Sequence, residues 1–158
     1  MSSSEQQFLD RAIELSRLGM QSGKGGPFGC VIVKDGKIIG EGYNQVATSN
    51  DPTAHAEVVA IRNACKALNS FQLTDCDIYA SCEPCPMCLG AIYWARPKRV
   101  IYANTKQDAA AINFDDQFIY DEIGKPGHQK AIEFIHRPDG KAIEVFREWT
   151  TMENKVVY

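Results

Sequence analysis

The stretch DIYASCEPCPMCLGAIYWARPKRVIYAN, residues 77 to 104, points most directly to the architecture of this chain. Residues 77 to 82 form a short apolar run that predicts a strand, residues 86 to 96 predict a buried helix, and residues 99 to 104 predict a second strand. A strand, a helix and a strand in succession pack the helix on one face of a sheet. The unit therefore predicts an α/β domain.

Regular patterns continue on both sides of this unit. Upstream, the spacing of apolar residues predicts three elements: a helix over 5–20, a β-hairpin over 28–46, and a helix over 50–68. Downstream, it predicts four more: a helix over 106–123, a turn at 125–127, a final strand over 131–136, and a helix over 141–152. These elements predict a three-layer α/β/α sandwich around a mixed sheet of about five strands.

Size and composition limit the possible functions. A length of 158 residues suits a single domain over 1–158, and hydrophobic and charged fractions of 44% and 23% are ordinary globular values. No apolar run approaches the ~18 residues needed to cross a bilayer, and the first residues resemble no targeting segment, so we expect a soluble, cytoplasmic protein. A net charge of -3 argues against a nucleic-acid partner and favours a small-molecule one.

Three of the six cysteines are clustered in SCEPCPMC, residues 81 to 88. In a reducing compartment such clustering favours metal binding over disulfides. Cys85 and Cys88 are three residues apart in the first turn of the predicted helix, so both sulfurs lie on one face, and Pro86 suits the first helical position. His55 is the natural third ligand, and one imidazole with two thiolates leaves a fourth position for water, as in a catalytic zinc site.

Glu57 lies two residues after His55 at the start of the second predicted helix. There its carboxylate is within a turn of the metal without being a ligand. Zinc lowers the pKa of a water molecule towards ~7, and a neighbouring carboxylate can move the proton to a substrate. The pattern therefore indicates metal-assisted hydrolysis.

Other interpretations of the cysteines and histidines remain open from the residues alone. An iron–sulfur cluster lacks a suitably spaced fourth cysteine, while a closed structural zinc site would use Cys82 as its fourth ligand. A zinc-stabilised binding module without catalysis is the corresponding functional alternative. The remaining residues are more typical of core or surface positions: Cys30, Cys65, Cys76, His128 and His136.

HAE at 55–57 followed by PCPMC at 84–88 resembles the H-x-E…P-C-x-x-C signature of the zinc-dependent cytidine and deoxycytidylate deaminase superfamily. The resemblance implies a cytidine deaminase-like fold and one Zn2+ per subunit. It also implies that Glu57 is the catalytic acid and base. The implied zinc ligands are His55, Cys85 and Cys88.

Further segments resemble the bacterial guanine deaminases over nearly the whole chain: GGPFGCVIV, NDPTAHAE, SCEPCPMCLGAIYWAR, INFDD and the terminal VVY. This resemblance implies hydrolysis of guanine to xanthine and ammonia in a homodimer, with the carboxyl-terminal segment from about residue 125 to 158 exchanged between subunits. Guanosine deamination and tRNA adenosine deamination are the alternative activities.

The same resemblance implies which residues contact the base. Asn44, Asp116 and Tyr158 would bind polar groups of guanine. Phe28 and Trp94 would form apolar walls. Apart from the resemblance, backbone N–H groups near Ala56 or Cys85 are suited to orienting the base. From the residues alone, Asn44 also suits a turn, Asp116 a helix cap, and both aromatic residues an ordinary core.

Overall fold

The computed structural model describes residues 3 to 158 and divides the chain into two units, Met1–Asp116 and Gln117–Tyr158. The first unit contains nine helices and strands in its described part: α1 Ser3–Gln21, β1 Gly29–Lys34, β2 Lys37–Tyr43, α2 Val46–Ser49, α3 Ala56–Leu68, β3 Asp77–Cys82, α4 Pro86–Ala95, β4 Arg99–Asn104 and α5 Lys106–Ala111. The second contains α6 Gln117–Ile123, a 3-10 turn Gly127–Gln129, and α7 Gly140–Thr151.

One mixed sheet organises the first unit, with strand order β2-β1-β3-β4. β1 pairs antiparallel with both β2 and β3, whereas β3 and β4 are parallel. The parallel pair is joined through α4, as the strand–helix–strand pattern predicts. The α/β class and the mixed sheet are thereby confirmed.

Two apolar clusters lie on opposite faces of this sheet because successive strand residues point to opposite sides. On one face Leu9 and Leu15 of α1 pack on Val31, Val33 and Tyr79. The other cluster combines strand residues with α3 and α4, and it includes Cys30, Ile32, Ala56, Ala60, Ile78 and Ile92. The core therefore holds α3 and α4, which begin at the HAE and PCPMC motifs, on the same face.

Glycine in β2 lets α3 approach the sheet closely. A Cβ added at Gly42 would lie 2.3 Å from the Ala56 carbonyl oxygen and 2.6 Å from the Ala60 nitrogen. Gly40 is in a similar position against Ala60 and Ala64. The backbone of the first turns of α3 therefore rests directly on β2.

The prediction of five strands is wrong, because the described residues contain a sheet of four strands and residues 131 to 136 form no strand. That segment is apolar and β-prone, but a strand also needs a hydrogen-bonded neighbour, and none of the described strands pairs with it. The helix predicted over 106–123 is interrupted at 112–116. Asn113 has a left-handed φ of 69°, which ends α5.

The second unit has no buried residue. Asp139 caps α7 by accepting a hydrogen bond from the Lys141 backbone at 2.8 Å, and the helix predicted at 141–152 is confirmed. Many of its apolar side chains are exposed: Phe118, Ile123, Ile132, Phe134, Ile135, Ile143, Val145, Phe146, Trp149, Met152, Val156 and Val157. Among residues 3 to 158, no helix combines the length and apolar character needed to cross a bilayer.

Candidate metal and active site

The two motifs converge because each occupies the N-terminal end of a helix on the same face of the sheet. His55 is the N-cap of α3, with extended backbone at φ −70° and ψ 156°. Cys85 is the N-cap of α4, and Pro86 follows at the first helical position. Cys88 lies one turn later, so its sulfur and that of Cys85 lie on the same face of α4.

These three side chains form the potential metal-binding group found among the described residues. The Nδ1 atom of His55 lies 3.5 Å from the sulfur of Cys85 and 3.5 Å from that of Cys88, and the three potential ligand atoms all lie within 4.8 Å of one another. Ordinary zinc–sulfur and zinc–nitrogen bond lengths give a tetrahedral edge of about 3.6 Å. The donor set and its spacing therefore fit zinc.

Cys82 is not a member of this group. Its sulfur lies 3.5 Å from the carbonyl oxygen of Thr105, to which it donates, and burial raises its pKa to about 11. Its position, with the thiol directed at that carbonyl, keeps it out of the metal-binding group. The cluster thus supplies three protein ligands rather than the four of a closed structural site. All six cysteines are free thiols.

Glu57 lies beside the cluster without belonging to it. The residue is only 6% exposed, and the Cys88 thiol donates to its Oε2 atom at 3.3 Å. Burial raises the pKa of this carboxyl. A buried carboxyl with a raised pKa at a metal cluster is suited to accepting and returning a proton.

The cysteine and histidine ligands are coupled electrostatically. The pKa of Cys85 is lowered to about 4, mainly by the neighbouring Cys88 side chain, with His55 adding to the effect. The neighbouring Cys85 sulfur, together with burial, raises the pKa of Cys88. The hydrogen bond to Cys85 raises the pKa of His55.

The structure brings some of the predicted base-contacting residues near this cluster. Ala56 is buried immediately after His55, and Phe28 packs on the core cluster that contains Ala56. Asn44 follows β2 and is buried, and its backbone donates to the carbonyl oxygen of Phe28 at 3.1 Å. Asp116 is partly buried, and its pKa is raised first by burial and then by the charge of Cys85.

The other two predicted contacts are more exposed. Trp94 lies on α4 and is 65% exposed, and Tyr158 lies in the second unit and is also 65% exposed. Their predicted contacts with a base stay predictions from the resemblance.

Sequence reasoning missed two supporting residues. A Cβ added at Gly25 would lie 2.0 Å from the Oδ1 atom of Asn44. Any side chain at this position would therefore collide with the amide group of Asn44. Phe114 stands edge-on to Phe28, with ring centroids 5.0 Å apart and an interplanar angle of 87°. The glycine run GKGG was a signal for close packing, whereas the pairing of two rings distant in sequence had no signal.

Comparison with known proteins agrees with this geometry. Residues 2–104 match the family model of the cytidine and deoxycytidylate deaminase zinc-binding region. A guanine deaminase of Bacillus subtilis is 58% identical over 96% of this chain and 97% of its own length. A tRNA-specific adenosine deaminase of Aquifex aeolicus is 32% identical over 90% of this chain and 91% of its own.

The crystal structure of a Bacillus subtilis guanine deaminase superposes with a TM-score of 0.96 and 56% sequence identity, covering 100% of this chain and 99% of the other. The matched family model spans both motifs that build the His55, Cys85 and Cys88 cluster. The chain belongs to the zinc-dependent cytidine and deoxycytidylate deaminase family.

Proposed function

We propose that the protein catalyses the zinc-dependent hydrolysis of guanine to xanthine and ammonia. The observation that carries the reaction type is the buried Glu57 carboxylate, in contact with Cys88 beside a cluster of three potential zinc ligands. The choice of guanine is supported by the 58% identity, over nearly the full chain, to a guanine deaminase.

Each residue of the cluster has a part in this proposal. His55, Cys85 and Cys88 hold the zinc ion, which when bound supplies Lewis acidity and lowers the pKa of a water molecule towards about 7. Glu57 accepts a proton from a water molecule as the water oxygen bonds to C2 of guanine, and passes that proton to the ring nitrogen next to C2. It then takes the second proton from the new C2 hydroxyl group and gives it to the amino group as the C2–N bond breaks. Water and guanine are thereby converted to xanthine and ammonia.

Recognition of the base requires both donors and acceptors. The Oδ1 atom of Asn44 accepts a hydrogen bond from the Val46 backbone at 3.2 Å, which orients the amide so that its Nδ2 group is available to acceptors of guanine. The partly buried Asp116 carboxylate suits the ring N–H and exocyclic amino donors. A base with the wrong pattern leaves these groups unpaired, which costs more than a lost apolar contact.

A panel of substrates tests this proposal. We expect zinc-loaded protein to release ammonia from guanine, with guanosine, cytosine, adenine and a tRNA anticodon stem-loop turned over at least about 100-fold more slowly in kcat/KM. The measurement is coupled detection of ammonia together with the ultraviolet change of the base. Turnover of guanosine or the stem-loop in preference to guanine would refute the choice of substrate.

The same panel on Asp116→Asn separates base recognition from chemistry. Asparagine keeps the size of the side chain but replaces one acceptor oxygen with a donor, so the KM for guanine should rise while bound zinc is unchanged. Asp115→Asn is the matched control because it alters the neighbouring carboxylate.

The assembly is a further part of the proposal. The second unit, Gln117–Tyr158, has no buried residue and exposes apolar side chains along α7, among them Ile143 and Phe146. A surface of this kind on a folded chain is typical of an interface. We propose a second copy of the chain as its partner, giving the homodimer that the resemblance implies, and exchange of residues 125–158 stays a prediction.

The mass of the particle tests the homodimer. We expect sedimentation velocity to give twice the chain mass at micromolar concentration, and Phe146→Glu to shift the protein towards monomer because a charge in an apolar interface is costly. Glu144→Gln, at an exposed position of the same helix, is the control. A monomer at all concentrations would refute the proposal.

A further inference from the structure

Glu83 lies between the end of β3 and the start of α4, two residues before Cys85. It is partly buried, and both its main chain and its side chain bond to the junction between β4 and α5. Its backbone N–H donates to the carbonyl oxygen of Asn104 at 2.8 Å, and its Oε2 atom accepts from the backbone N–H of Lys106 at 3.1 Å.

A third contact joins the same two segments, because the thiol of Cys82 donates to the carbonyl oxygen of Thr105 at 3.5 Å. The end of β3 and the loop that leads to Cys85 are therefore bonded to three successive residues at the junction of β4 and α5. Of these contacts, only the one from the Glu83 carboxylate is strengthened by a charge.

The connection from Glu83 to Cys85 is short, so the contacts that fix Glu83 also restrict the position of Cys85. Only Pro84 lies between them, and its ring fixes φ near −65°. Cys85 then begins α4 with extended backbone at φ −66° and ψ 168°. With so few free torsions, a displacement of Glu83 moves the sulfur of Cys85 relative to His55, which the separate helix α3 carries.

We propose that Glu83 is a positioning residue for the zinc site, which holds Cys85 at ligand distance by bonding the metal-binding loop to the start of α5. This inference rests on the proposed zinc site and is independent of the choice of guanine as substrate. It assigns a function to a residue that neither binds the metal nor moves a proton.

The chain offers a matched control at Asp108. Its Oδ2 atom accepts a hydrogen bond from the Thr105 backbone at 2.8 Å, and the Asp108 backbone donates back to the Thr105 hydroxyl at 3.3 Å. Asp108 therefore also caps the start of α5, but its side-chain bonds stay within that turn. Loss of its carboxylate affects the helix start without releasing the loop that carries Cys85.

The experiment compares Glu83→Met, Glu83→Gln and Asp108→Asn with the wild type. Zinc affinity is measured by competition with a chromophoric chelator, and ligand geometry by the visible spectrum of the cobalt-substituted protein. We expect Glu83→Met to bind zinc roughly 10-fold or more weakly, as is usual when a residue that orients a metal ligand is lost. Glu83→Gln keeps an acceptor oxygen and should stay within about 3-fold of wild type, as should Asp108→Asn.

Three outcomes would overturn the inference: unchanged zinc affinity in Glu83→Met, an equal loss in Asp108→Asn, or a wild type that binds no zinc. The last also refutes the proposed function, whereas the first two leave it intact. If Glu83→Met does not fold, Glu83→Asp takes its place as the test variant. It keeps the charge but is too short to reach Lys106, so zinc affinity equal to wild type would overturn the inference.

Discussion

Glu57→Gln is expected to abolish turnover while zinc stays bound. Glutamine has nearly the same size as glutamate but cannot accept and return a proton, so kcat should fall by about 10³-fold or more. Because the Glu57 side chain is buried, replacing its carboxylate with a neutral amide should leave the free energy of unfolding unchanged or raise it slightly. Zinc content by elemental analysis and ammonia release from guanine are the two measurements.

The comparison with an exposed glutamate makes this result specific. Glu133→Gln changes the net charge by the same amount at an exposed position and should keep wild-type activity. Substantial activity in Glu57→Gln would place the proton shuttle elsewhere. Loss of zinc from Glu57→Gln would mean that the carboxylate supports the metal site rather than the chemistry.

Cys85→Ala is expected to remove zinc and activity together. Two ligands, His55 and Cys88, would remain, so zinc affinity should fall by more than the roughly 10- to 100-fold that is lost when only a partner of a ligand is changed. Competition with a chromophoric chelator measures the affinity.

Removal of zinc from the wild type by a strong chelator should abolish turnover in the same way. Added zinc should restore turnover in the wild type but not in Cys85→Ala.

Cys65→Ala is the matched control for this variant. Cys65 is a free, partly buried cysteine on α3 that is not part of the metal-binding group. Its loss should leave zinc stoichiometry and kcat unchanged. One zinc bound at wild-type affinity in Cys85→Ala would contradict the proposed ligand set.

The elements around the site were predictable because their signals are local. β3, α4 and β4 each have a continuous apolar pattern, and the motifs themselves mark the first turns of α3 and α4. Spacing along a helix also predicts that Cys85 and Cys88 share a face. That His55 meets them follows from the sheet placing α3 and α4 on one side, and the cluster at 3.5 Å agrees with it.

The features that sequence did not predict depend on partners far along the chain. Residues 131 to 136 have the composition of a strand, but whether such a segment pairs depends on which neighbour is available. The interruption of the helix at 112–116 depends on a single left-handed residue, Asn113, which a periodic pattern does not detect. The edge-on pairing of Phe114 with Phe28 joins two segments more than eighty residues apart in the numbering.

The close approach at Gly42 has an effect on how tolerant the site is to sequence change. There the peptide backbone of α3 touches the peptide backbone of β2, with no side chain acting as a spacer. A side chain at this position would force the two backbones apart, so we expect replacement of Gly42 to shift the first turn of α3 and with it the imidazole of His55. The accuracy of the site therefore depends on a glycine that lies outside the metal-binding group.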